Sequence, residues 1–281
     1  MSAADVLSAD WLGVCRRAAE ALREVLAEAP TTLERAEETG RRGEGGDRTL
    51  VIDQDAEDAV FVLLDELHAA GHRFCAVSEE RGVVDYGASD VRVIVDPIDG
   101  SLNAKRGLPH HAISIAVADG PTMADVAFGY VYDYGPGEEW AARRGEGATL
   151  DGRPLDRSAR ERRDSEGRLE VLGLESADPR WIAEVADRLP DHARRVRALG
   201  SIAVTLCQVA AARIDGMVTL KRTRAVDAAA GQLIVREAGG HVAFTRCDEP
   251  LGAPLDITPR SPMVAARTPE TLARLAGIPV A

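Results

Sequence analysis

The chain has 281 residues, 45% of them hydrophobic, which is enough for one large core or two modest ones. Its formal net charge of -12 argues against a nucleic acid or an anionic membrane as partner. Cys15, Cys75, Cys207 and Cys247 form neither a CxxC pair nor a zinc spacing, and no signal-type or membrane-length apolar run occurs. Reduced core thiols and a cytoplasmic location are therefore expected.

Helical periodicity predicts a first helix over about 6–27, and the glycine-rich, charged stretch 31–49 reads as a loop. A second helix is expected from near Asp53, with acids in its first turn and a broad apolar face behind them. Its start, "DQDAEDAVFVLL", resembles a calcium loop only superficially, because Asp58 stands where such loops need Gly and Leu64 where they need an acid. The runs "RFCAV", "VRVIV", "HAISIAVA", "DVAFGYVY" and "EEWAAR" read as strands of a mostly antiparallel sheet, and "TLDGRPL" as a hairpin turning on Asp-Gly.

The polar, aperiodic segment "DRSARERRDSEGR" marks a boundary between an α+β half, 1–157, and an α/β half, 158–281. In the second half strands and helices alternate: strand "LEVLGL", helix 179–189, a strand near "RRVRAL", helix "SIAVTLCQVAAAR", strand "GMVTL" and helix "VDAAAGQLIVREAGG". Strands "HVAF" and "MVAA" and a helix "PETLARLA" complete it.

Acids recur at element ends: Asp53 at a helix start, Glu79 after a strand, Asp96 and Asp99 after another, and Asp227 opening a helix. Hard oxygen donors without His or Cys partners suit Mg²⁺ or Mn²⁺ better than Zn²⁺. In "VIVDPIDGSLN", Pro97 biases Asp96 toward extended geometry, so a sharp turn brings Asp99 back beside it and turns the Ile98 carbonyl to the same point. Gly100 and Ser101 follow with backbone N–H groups suited to a phosphate. Taken alone, the Asp-x-x-Asp pair is a solvated turn and Asp53 a helix cap; together with Glu79 and Asp227 they read as a two-metal site for phosphomonoester hydrolysis. A phosphoaspartyl mechanism with Asp96 as nucleophile is disfavoured by the spacing, three rather than two. His110 and His111, in a polar loop, are expected to face solvent and stay outside the site.

"VDPIDGSLN", with "SEE" upstream and "VDAAAGQLIVREAGG" downstream, resembles the inositol monophosphatase superfamily. "GDRTLVIDQDAED" and "GEGATLDGRPL" are similar to its dual fructose-1,6-bisphosphatase/inositol-1-phosphatase branch. The resemblance implies a layered α-β-α-β-α sandwich, a homodimer, and two or three Mg²⁺ ions that Mn²⁺ replaces. It also implies metal ligation by Glu79, Asp96, Asp99, Asp227 and the Ile98 carbonyl, with Asp53 at a further, weaker ion. Glu79 and Ser101 would hold the attacking water, Gly100 and Ser101 the phosphate, and "ALGSIA" around Gly200 and Ser201 resembles a sugar-binding helix start. Asp99 is expected to reach the substrate as well.

Departures from the family pattern bear on substrate. The loop before the second helix carries arginines where relatives have Lys, with Arg42 the nearest match, and Thr219 lies close to the place of an inositol-contacting Glu. Arg106, Lys221, Arg222 and Arg224 are candidates for a second phosphate. The expected partner is a small phosphorylated metabolite: inositol 1-phosphate, fructose 1,6-bisphosphate, or, as an alternative, adenosine 3',5'-bisphosphate. A catalytically idle relative that binds a macromolecule is the competing class.

Overall fold

In the computed structural model, which describes residues 6–44, 48–88 and 90–279, the amphipathic N-terminal segment forms α1 (Trp11–Glu28). Asp10 caps it by accepting from Gly13 N at 3.0 Å. The stretch expected as a plain loop instead holds a 3₁₀ turn, Glu34–Ala36, and an antiparallel ribbon of β1 (Glu38–Arg42) and β2 (Arg48–Leu50). Strand pairing satisfies backbone groups whatever the side chains, so a ribbon without apolar alternation leaves no signal in the sequence. The side chain of Arg42 lies outside the described residues. Helix α2 (Val51–Ala69) begins two residues before the expected start, since Asp53 turns back to the N–H of extended Leu50.

The next strands are β3 (Cys75–Ser78), β4 (Gly82–Asp85) and β5 (Arg92–Asp99), and the six-residue α3 (Ser101–Arg106) follows β5 at once. Then come β6 (Ala112–Ala118), β7 (Val126–Asp133), β8 (Glu138–Arg143), β9 (Gly147–Leu150) and β10 (Arg153–Pro154). Strands β3 to β10 form an eight-stranded sheet in the order β10-β9-β8-β7-β6-β5-β3-β4, in which β3 and β5 run parallel and the other neighbours antiparallel. The β9–β10 hairpin turns as expected on Asp151 (φ 49°) and Gly152 (φ 72°).

Past an irregular stretch, β11 (Leu172–Glu175) leads to α4 (Pro179–Val185) and α5 (Leu189–His192). One helix was expected here; Pro190 supplies no N–H to continue the ladder, and the chain restarts. The remaining elements are β12 (Val196–Arg197), α6 (Ile202–Ala210), β13 (Gly216–Thr219), α7 (Ala225–Glu237), β14 (His241–Phe244), β15 (Met263–Ala266) and α8 (Pro269–Leu275). A mixed five-stranded sheet runs β12-β11-β13-β15-β14.

Alternation along the strands builds the layers. Val93, Val95, Ile113, Ile115 and Val117 face α1 and α2, together with Trp11, Leu22, Val60 and Phe61. The intervening Ile94, Ala112, Ala116 and Ala118 face the other way, onto α6 and α7. Because both faces of β5 and β6 are covered, these strands are buried along nearly their whole length and carry few polar residues outside the site. Helix α7 lies between the two sheets and is buried nearly all round, which explains its run of Ala and Gly. A Cβ at Gly129 of β7 would come within 2.8 Å of the Ala230 carbonyl, so the sheet can approach the helix only with glycine there. Leu172, Leu174, Val218 and Val264 pack the second sheet onto Val185 and Leu275 of the outer helices. The order is α-β-α-β-α, the expected sandwich. Cys15, Cys75 and Cys207 are buried free thiols and Cys247 a half-buried one.

Candidate active site

The site forms where β5 ends. Its last residues leave the ladder with β6 irregularly between Asp96 and Asp99, and Asp96 folds a carboxylate oxygen onto Ile98 N at 3.1 Å. Gly100 then turns the chain at φ 90°, and a Cβ there would meet the His110 and Gly200 carbonyls at 2.8 and 3.2 Å. The turn therefore requires glycine for both conformation and space. Ser101 opens α3 and donates from Oγ to the Ile98 carbonyl at 2.9 Å, leaving that oxygen a second lone pair.

Helix α7 brings Asp227 to the same point. Asp96, Asp99 and Asp227, all buried, each offer an oxygen within 4.8 Å of the others. Asp99 is fixed by two donors, Ser201 Oγ and Ala203 N, both 2.6 Å from Oδ2. Glu79, which follows β3, lines the adjoining cleft of about 440 Å³ with Asp53, Asp96, Ile98, Ser101 and Lys105. It stands outside the three-carboxylate cluster, and Arg224 Nη1 donates to its Oε1 at 2.5 Å.

Burial and mutual repulsion shape the protonation of these acids. Burial, then Asp99, Glu79 and Asp227, push Asp96 well above the usual carboxylate range. Burial and Asp227 push Asp99 up to about 8 against its hydrogen bonds, and burial raises Glu79 to about 7 despite Arg224. Asp53 is pushed up to about 6, chiefly by burial, and its Oδ1 is enclosed without a hydrogen-bond partner among the described residues. Although burial works against its charge, Asp227, Glu79 and Asp96 hold Arg224 above its ordinary value. Crowded acids raised in this way need added positive charge to ionise together. An all-oxygen set with three oxygens so close, and an unpartnered carboxylate oxygen nearby, fits a hard divalent cation.

Two further grooves adjoin Asp227. One, of about 340 Å³, is lined by Asp99, Glu175, Gly200 and Lys221; the other, of about 200 Å³, by Lys221, Arg222, Arg224 and Pro259. Among the sequence-derived site residues, Glu79, Asp53, Asp96, Ile98 and Ser101 thus share the first cleft, while Asp99, Asp227, Gly200, Lys221 and Arg222 border these grooves. Lys221 Nζ also lies 5.2 Å over the Trp181 ring. Arg106 is exposed and lines none of the three; its neighbour Lys105 reaches the cleft instead. Ser201 is buried, its hydroxyl committed to Asp99 and to capping α6 through Val204 N. Thr219 is also buried, accepting from Met263 N and donating to the Lys221 carbonyl. The histidines do not both face solvent: His111 is buried, stacked on Tyr134 at 5.7 Å, and His110 Nδ1 lies 3.3 Å from buried Asp133.

Sequence reasoning missed two residues. Glu175 accepts from Leu199 N, Gly200 N and Thr205 Oγ1, at 2.9, 3.1 and 2.7 Å, and so holds the turn that carries Ser201. Burial pushes it up to about 7. Its signal was available, since it ends a strand just as Glu79 follows one. Buried Glu57, on α2, accepts from Glu80 N and Arg81 N at 3.3 and 3.4 Å and holds the turn after Glu79. Nothing in its helical context distinguishes it.

A profile of the inositol monophosphatase family matches residues 6–278. The fructose-1,6-bisphosphatase/inositol-1-monophosphatase of Methanothermobacter thermautotrophicus is 33% identical over 267 residues, covering 91% of each chain. Nus factor SuhB of Escherichia coli is 33% identical over 236 residues, 83% of this chain and 84% of that one. Among solved structures, an inositol monophosphatase–fructose 1,6-bisphosphatase superposes with a TM-score of 0.79 at 24% identity, covering 96% of this chain and 99% of that one. The SuhB protein of Bartonella henselae does so at 0.75 and 26%, covering 94% and 96%. Fold, acidic site and relatives together define a phosphatase. The chain belongs to the inositol monophosphatase family.

Proposed function

We propose that the chain is a Mg²⁺-dependent phosphomonoester hydrolase acting on a small polyol or sugar phosphate, inositol 1-phosphate or fructose 1,6-bisphosphate, by direct attack of water. One observation carries this reading: acids from β5 and α7 meet within 4.8 Å beside a cleft that also holds Glu79 and Ser101. Asp96, Asp99 and Asp227 would hold the metal, joined by Glu79 and the free lone pair of the Ile98 carbonyl, with Asp53 at a further ion. Bound there, two or three Mg²⁺ ions, or Mn²⁺ in their place, supply Lewis-acid polarisation of the ester and a more acidic water.

The chain's own groups do the rest. Glu79, in the cleft beside Ser101, would accept the proton of the attacking water at a carboxylate oxygen. Ser101 Oγ has its proton committed to Ile98, so it meets that water as an acceptor and orients it. The Gly100–Ser101 amides, where α3 opens, would take the phosphoryl group. Lys221 and Arg222, in the grooves beyond Asp227, suit a second phosphate better than a bare polyol. Cytoplasmic location and assembly as a homodimer belong to the same proposal; light scattering tests the latter.

The test is a panel of inositol 1-phosphate, fructose 1,6-bisphosphate and adenosine 3',5'-bisphosphate with Mg²⁺, run on the wild type and on Asp96→Asn. Turnover of one of the first two esters, lost by at least about a thousandfold in the variant, is expected. Undiminished turnover by folded D96N would refute the mechanism. The likeness to Nus factor SuhB supports part of a second reading, a regulatory binding protein; turnover of any ester of the panel would count against an idle site.

A further inference from the structure

Arg224 occupies an unusual place for a residue that sequence reasoning assigned to substrate. It precedes α7 in extended conformation and curls over the start of its own helix. Its backbone N–H donates to Asp227 Oδ2 at 3.2 Å and its Nη2 lies 3.5 Å from Asp227 Oδ1. Nη1 reaches Glu79 Oε1 at 2.5 Å, a partner 145 positions away in the chain. All three side chains are largely withdrawn from water, at 20, 16 and 12% exposure for Arg224, Glu79 and Asp227.

One guanidinium therefore bridges two acids that the metal reading assigns to the same centre. An ionised, hydrogen-bonded pair withdrawn from water is among the stronger polar contacts a protein makes. A second cation arriving at Glu79 must break that contact and also face the repulsion of the first. Arg224 has somewhere to go, because its side chain already borders the groove containing Lys221 and Arg222.

We infer, on the basis of the metal role proposed above, that Arg224 is the built-in counter-cation of this site: it holds Glu79 and Asp227 in the metal-free protein and must release Glu79 before a divalent ion binds fully. Arg224 thus lowers metal affinity below what the carboxylates alone would give, and it keeps the metal-free acids from driving the site apart. It is a positioning residue, acting through Glu79.

The test uses metal-stripped full-length protein as wild type, Arg224→Met and Arg224→Lys. Mn²⁺ binding is measured by calorimetry and the melting temperature with and without Mn²⁺. R224M should bind Mn²⁺ roughly tenfold tighter or more, the scale of one charge-assisted hydrogen bond. Its metal-free melting temperature should fall, and its rise on adding Mn²⁺ should exceed that of the wild type. R224K keeps a charge without the planar fork and should lie between; it carries the comparison if R224M does not fold without metal. Wild-type affinity, or weaker binding, in both folded variants would overturn this inference while leaving the metal site standing. No Mn²⁺ binding by the wild type would overturn both.

Discussion

Replacing Asp53 by Asn isolates the cost of one buried charge. Asp53 sits at the third position of α2, with one oxygen on Leu50 N at 3.4 Å and the other enclosed and unpartnered among the described residues. Its acidity moves from an ordinary 3.8 to about 6 on folding, chiefly through burial. A group whose folded pKa is raised contributes stability that is fully present below 3.8 and lost as pH rises through about 6. At pH 8 that loss amounts to roughly 3 kcal/mol, and at pH 4.5 to only about 1 kcal/mol. Asn does not titrate, keeps an acceptor for Leu50 N, and gives up about 0.3–1 kcal/mol of favourable interaction with the helix dipole. In EDTA, D53N should therefore be more stable than the wild type by about 2 kcal/mol at pH 8, with the gap narrowing by about 2 kcal/mol at pH 4.5. Urea unfolding followed by circular dichroism at the two pH values measures both. Saturating Mg²⁺ should shrink or reverse the advantage at pH 8, since the charge then has a cation to meet. A variant less stable than the wild type by the same margin at both pH values would show that Asp53 is a satisfied cap, and the reasoning would fail.

Two other substitutions probe the supports of the site. Ser201→Ala removes a donor to Asp99 and the cap of α6, so it should cost about 2–3 kcal/mol of stability and lower kcat more than KM, with Asp99 still held by Ala203 N. An unchanged kcat would mean that Asp99 needs no such anchoring. Gly129→Ala forces a methyl group against the Ala230 carbonyl and should destabilise by about 1–3 kcal/mol without changing metal affinity, read by thermal melting and calorimetry.

Much of the fold can be read locally. The α1 and α2 stripes, the apolar runs of β5, β6 and β7, and the Asp-Gly hairpin follow from side-chain period and turn chemistry, which depend on near neighbours. The β1–β2 ribbon does not, because its pairing is carried by the backbone alone. Pro190 was visible in the sequence, but the break it imposes between α4 and α5 became clear only with the helices placed.

The site divides in the same way. Asp96, Pro97, Asp99 and Gly100 lie within five residues, so the sequence by itself determined that two carboxylates and a glycine turn share one corner. It also determined the donor chemistry, oxygen without sulfur or imidazole. Tertiary structure alone decided the pairings across the chain: Ser201 against Asp99, Glu175 beneath the turn at Gly200, Arg224 across to Glu79, and Arg106 left out in solvent. Those contacts depend on how two sheets close around α6 and α7, and no local period records which polar side chain meets which once the layers have packed.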